Sequence, residues 1–156
     1  MTVPPALTRT LLGAQIVALV TSPGSQTLRP TGALVATYPV SKGSITTKPP
    51  GGTVAHRGGL FIQNVSNGKK IAVDNFVVDL SQKILTAHIV TTPSRAIIFN
   101  LNLKNAAIKA TRHLITISRI GLSLEKNAAN ALNGALGTTV FKAGMKFGTA
   151  VSRLRH

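Results

Sequence analysis

Short runs of Val, Ile, Leu and Thr recur along the chain, separated at fairly regular intervals by clusters of Gly, Pro, Asn and Ser. Runs of that length alternate well across a pleated strand, and the intervening clusters supply turn residues, the pattern of an antiparallel β-sandwich or barrel. The pattern predicts strands at Ile16–Val20, Ala33–Val40, Ser44–Thr47, Thr53–Gln63, Lys70–Leu80, Ile84–Thr91, Arg95–Leu103 and Gly148–Leu154. Mixed alternation over Ala106–Leu124 predicts two short strands or one bent one.

Finer features sharpen this picture. Pro39 marks an edge or a strand end, because proline donates nothing to a ladder. Gly58-Gly59 interrupts Thr53–Gln63, as expected at a bulge or a close backbone approach. Thr21–Ser25 and Pro49-Pro50-Gly51-Gly52 read as turns, and Ser66-Asn67-Gly68 as a hairpin tip. Within Lys70–Leu80, strict alternation puts Val73, Asn75, Val77 and Asp79 on one face. Asp74, Phe76, Val78 and Leu80 then take the other.

Two stretches depart from the strand rhythm. Pro4-Pro5 followed by Ala6–Ala14 predicts a short helix ended by Gly13. Leu124, Ala128, Ala131, Leu132 and Ala135 recur at helical spacing, predicting a helix over about 124–136, with Ser123 as its cap and Gly137 as its stop. The fold expected is therefore mainly β: a single domain over 1–156, an antiparallel sandwich or barrel with a short helix near each end.

Charge changes the picture of function. The 156 residues hold 18 lysines and arginines against 3 acids, a formal charge of +15, yet 44% of residues are hydrophobic. A disordered basic tail is poor in core formers, so this charge rides on a folded body. That predicts a polyanionic partner: an envelope polymer, anionic lipid headgroups or a nucleic-acid backbone. The alternative is a basic surface serving solubility or an unusual medium. The residues expected to carry the contact are Lys69 and Lys70 at a hairpin tip, Lys104, Lys109, Arg112 and Arg119 in one stretch, and Arg153 and Arg155 beside His156. Such contact would be nonspecific and salt-dependent.

Catalysis is disfavoured. Asp74, Asp79 and Glu125 are the only carboxylate side chains. On a regular strand the two aspartates, five apart, face opposite ways, and each is expected in a salt bridge or a turn hydrogen bond. There is no cysteine, no G-x-S-x-G elbow, no P-loop and no helical histidine pair, and no metal is expected. A structural role is the further alternative: edge-capable strands suit a self-assembling filament or surface lattice, with Ala14–Val20 either donated to a neighbour or completing its own sheet.

Three segments carry a family resemblance: Gly52–Leu60 (GTVAHRGGL), Val73–Asp79 (VDNFVVD) and Leu85–Ile89 (LTAHI), joined by Ala129–Gly144 near the C-terminus. Together they resemble secreted actinobacterial β-domains distantly similar to the HtaA-type haem-uptake domain, over about residues 5–151. The resemblance implies an extracellular or cell-envelope, non-enzymatic β-domain, with its leader outside this sequence. The residues themselves lead to no expected cofactor; the resemblance adds haem binding as a further alternative, held through tyrosine with histidine assisting, and so points to Tyr38, the only tyrosine, and His56. From the residues alone Tyr38 falls in a core strand, and the His56 ring is expected to bond backbone across a bulge.

Overall fold

The computed structural model describes residues 1–155; His156 lies outside the described residues. The elements in chain order are β1 (Thr2–Val3), α1 (Pro5–Gly13), β2 (Ile16–Thr21), β3 (Ser25–Leu28), β4 (Leu34–Thr37), β5 (Val40–Thr47), β6 (Pro50–His56) and β7 (Gly59–Asn64). There follow β8 (Lys70–Asp79), β9 (Ile84–Ile89), β10 (Arg95–Asn102), β11 (Ala107–Ala110), β12 (Leu114–Leu124), α2 (Lys126–Leu136) and β13 (Lys146–Arg155).

All 13 strands belong to one antiparallel sheet, ordered β2-β7-β8-β9-β10-β12-β13-β1-β4-β3, with β5–β6 and β11 attached beside that path. The sheet curls until its two end strands face each other, which nearly closes a barrel. At the remaining seam the Val20 amide donates to Oε1 of Gln26 at 2.7 Å, where a full ladder would otherwise run. The segment expected to be donated or retained, β2, pairs with β7 of its own chain from Ile16↔Asn64 to Thr21↔Gly59.

The core is the inward face of this wall, plugged by α2. Ile16, Val54, Leu80, Ile117, Ile120, Leu124 and Leu136 are almost wholly buried, and α2 adds Ala128, Ala129 and Leu132 from the side that packs against β8 and β10. Burying each large aliphatic chain contributes roughly 1.5–3 kcal/mol.

Several expected boundaries shift for local reasons. The strand expected over Ala33–Val40 is two, β4 and β5, because Tyr38-Pro39 breaks it. Thr53–Gln63 is likewise two strands, and both lie along the same edge of β8: β7 pairs Gly59↔Asp74, while β6 pairs Ala55↔Val77. The helix cap is Glu125, not Ser123, with Oε2 of Glu125 accepting from the Ala128 amide at 3.0 Å. Strands β1 and β3 are too short or too polar to announce themselves in the sequence.

The alternation expected of β8 also fails. Asn75 adopts φ 50° and the register to β9 slips between Asp74 and Val77, so one residue is inserted and the faces exchange. Val73 therefore joins Phe76, Val78 and Leu80 in the core. Asp74 and Asp79 consequently share the outer face and do not oppose one another as expected.

Distant turns lock the helix end. Gly137 takes the left-handed conformation that ends α2, and the buried Leu136 carbonyl, left without a helical partner, accepts from Nδ2 of Asn64 at 2.9 Å and of Asn67 at 3.0 Å. Asn64 is 4% exposed and its Oδ1 also holds Ser66. Asn64→Ala should therefore lower stability by about 2–3 kcal/mol and Asn67→Ala by about 1 kcal/mol or less, as read from urea unfolding midpoints.

Candidate functional site

The barrel interior is not filled. An apolar cavity of about 1550 Å³ opens between the wall and the two helices, larger than the roughly 300–1,000 Å³ usual for small-molecule sites. Both Tyr38 and His56 line it.

Tyr38 is not in a strand, as the sequence suggested, but at the break between β4 and β5. Three backbone features hold it there. The Arg57 amide donates to the Pro39 carbonyl at 2.9 Å, tying the break to the end of β6. Gly58, at φ 99°, lies flat against the tyrosine ring, where a β-carbon would press on it. The Asn75 amide donates to the Gly58 carbonyl at 3.0 Å, and the bulge there turns Phe76 inward to meet Tyr38, with ring centroids 4.9 Å apart. Aromatic pairs at that separation and tilt are favourable.

The Tyr38 hydroxyl is buried and has no hydrogen-bond partner. Burial pushes its pKa far above the ordinary 10.0, so the bare site holds a neutral phenol. His56 ends β6, and its ladder partner is Val40, two residues beyond Tyr38, so the two side chains arise from adjoining segments. Burial pulls the His56 pKa below 6.5; the Phe76 and Val54 backbone oppose this and the Met1 ammonium adds to it.

Outside the barrel, a polar cluster fastens the bulge. Oδ1 of Asp74 lies 2.9 Å from Nδ1 of His88 and accepts from Nδ2 of Asn75 at 3.2 Å. Arg95 donates to the Asn75 carbonyl at 2.7 Å and to Oγ1 of Thr86 at 3.1 Å. Asp79 accepts from the Gln82 amide at 2.8 Å in the following turn, so both aspartates take the salt-bridge or turn roles expected of them. All 3 acids are thereby engaged in structural contacts, since Glu125 caps α2. Among the described residues no group of three or more metal-ligating side chains comes together.

The expected basic residues divide between sites. Lys109 and Arg153 both face Thr116 across the ladders, and Arg155 pairs with Leu114, so these gather with Arg112 at one end of the sheet. Arg119, at φ 58°, sits in the irregular middle of β12. Lys104 follows β10, while Lys69 lies over the end of α2 beside Gly137 and Lys70 begins β8. Arg153 and Arg155 also line the cavity, and Arg29 and Lys42 join them there. Sequence reasoning missed Arg29, Lys42, Phe76 and Asn75; only Gly58-Gly59 signalled that backbones meet here.

The lowered His56 pKa links stability to pH. Above the ordinary value of 6.5 the ring is neutral whether folded or unfolded. As pH falls below it the unfolded chain takes up a proton first, and stability is lost until the folded ring is protonated too. The wild-type melting temperature should therefore fall more steeply from about pH 7 to about pH 5 than that of His56→Gln; equal slopes would show that the ring's burial is not felt.

Neither a family model nor a curated protein matches the sequence. Solved structures do match in fold. The C-terminal domain of HtaA from Corynebacterium glutamicum superposes with a TM-score of 0.62 at 11% identity, covering 98% of this chain and 91% of that one. The domain-swapped dimer of a histidine-to-alanine variant of the same domain gives 0.63 at 10% identity, covering 96% and 90%. The chain has the fold of the HtaA C-terminal domain.

Proposed function

We propose that the protein is a non-enzymatic, surface-exposed or extracellular domain that binds haem or a closely related porphyrin in the barrel cavity. The observation that carries this reading is the buried, unpartnered hydroxyl of Tyr38, a residue that lines the apolar cavity. Leaving such a group without a hydrogen bond costs about 1–3 kcal/mol, a cost that a ligand atom bonded to it would remove. The likeness in fold to the HtaA domain adds support.

The residues present fit the group. The cavity offers a large apolar surface to a flat macrocycle, and Phe76 fixes the Tyr38 ring against rotation. Haem would supply a ferric iron that accepts an oxygen ligand, and Tyr38 is the residue that would hold it. Because burial keeps the phenol protonated, ligation requires its proton to leave. His56, held neutral by its burial, lines the same cavity and offers a nitrogen to receive it. The cavity's cationic margin, Arg29, Lys42, Arg153 and Arg155, favours an anionic ligand.

Titration with haemin should produce a shifted Soret band, and Tyr38→Phe should weaken binding by about tenfold or more while leaving the melting temperature of the bare protein unchanged or higher. An unshifted Soret band, or a Tyr38→Phe variant that binds haemin as tightly as wild type, would overturn the reading.

A further inference from the structure

Strands β11, β12 and β13, with the turn between the first two, hold no aspartate or glutamate. Across their ladders Thr116 lies opposite Lys109 on one side and Arg153 on the other. Residues opposite one another in an antiparallel pair share a face of the sheet, so these three form a row. In the next row Ile117 lies opposite Ile108 and Ser152, and both Ile117 and Ser152 are buried. That row faces the core, and the Lys109–Thr116–Arg153 row faces outward. Along β13 exposed Arg153 and Arg155 alternate with buried Ser152 and Leu154, which puts Arg155 on the same outer face.

Arg155 lies opposite Leu114. The Thr111 amide donates to the Leu114 carbonyl at 2.9 Å, which closes the β11–β12 turn and brings Arg112, in that turn, to the same end of the sheet. Strands lie about 4.8 Å apart and rise about 3.4 Å per residue, so Lys109 and Arg153 stand roughly 10 Å apart and Arg153 and Arg155 roughly 7 Å. These spacings are close to the screening length of about 8 Å at physiological salt, so the charges act on a partner together. No acidic side chain offsets them. Asp74 holds His88, Asp79 closes the turn after β8 and Glu125 caps α2, and Asp74–His88 is the only ion pair among the described residues.

We propose that this outer face of β11–β13 docks onto an anionic phospholipid membrane. A sheet face is broad and open, the shape that meets a plane of charge. Val151, 45% exposed and two residues before Arg153, and half-buried Leu114 set aliphatic surface among the cations. Arginine and lysine stems lie along such surface while their heads reach phosphate. A nucleic acid fits less well, because single strands are held by rings that stack on bases. The one aromatic residue of these strands, Phe147, packs instead against Phe99 and Phe141 of the core. The inference stands apart from the porphyrin reading, which concerns the inside of the wall.

Co-sedimentation of the intact protein with vesicles tests this, using phosphatidylglycerol and phosphatidylcholine in equal parts against phosphatidylcholine alone. The wild type should bind the anionic vesicles at least about tenfold more tightly, and the preference should shrink as salt is raised. Arg153→Gln with Arg155→Gln should weaken that binding about thirtyfold. Lys69→Gln with Lys70→Gln removes the same charge from another part of the surface and should cost about threefold or less. All four positions are exposed, so both pairs should keep the wild-type melting temperature. If the arginine pair fails to fold, Lys109→Gln with Arg112→Gln carries the test. Equal losses from the two pairs, or a wild type that binds both vesicles alike, would overturn the proposal. Binding to a duplex DNA oligonucleotide with the vesicles left unbound would overturn it too, and would name nucleic acid as the occupant. Haemin binding should be unchanged in every one of these variants, so failure of the membrane face and failure of the porphyrin reading are told apart.

Discussion

Asn75, at φ 50°, is the point on which the rest of the barrel turns. One inserted residue exchanges the faces of β8, so Val73 and Phe76 both point inward although an odd number of positions separates them. Asparagine tolerates this conformation better than most residues, and the surroundings hold it there. Gly58 receives its amide, Arg95 grips its carbonyl, and Asp74 with His88 closes over its side chain. The same insertion breaks the neighbouring edge into β6 and β7, and the break gives Tyr38 its place.

The scarcity of acids has a structural meaning. Each of the 3 carboxylates serves backbone geometry or a local pair: one braces the bulge, one closes a turn and one caps a helix. Only Glu125 among them lines the cavity, against several lysines and arginines. A low-dielectric lumen with a positive margin attracts anions more strongly than an evenly charged surface does. The charge of +15 thus acquires a direction that composition lacks: part of it surrounds an opening. Lys109, Arg112 and Arg153 continue the positive surface along one end of the sheet.

Much of the architecture was legible along the chain. Val/Ile/Thr runs between turn clusters announced the sheet, Pro5 and Gly13 bounded the first helix, and Gly137 ended the second. The cap of α2 was not legible: Ser123 is the commoner residue type for that role, but Glu125 is the side chain that reaches the Ala128 amide. The cavity was not legible. Tyr38 and Ser152, two of the residues that line it, lie more than a hundred positions apart in an ordinary-looking strand context, and neither carries a local motif.

The sequence by itself determined the element types, the positive charge and the poverty in acid groups, because these depend on residue chemistry and on patterns only a few positions long. Tertiary structure alone decided which side chains share the lumen. Strand register slides by whole residues at little local cost, and one bulge reverses a face. The meeting of Tyr38, His56, Phe76 and Ser152 around one cavity therefore follows from long-range pairing across the barrel, where no short stretch of sequence holds the information.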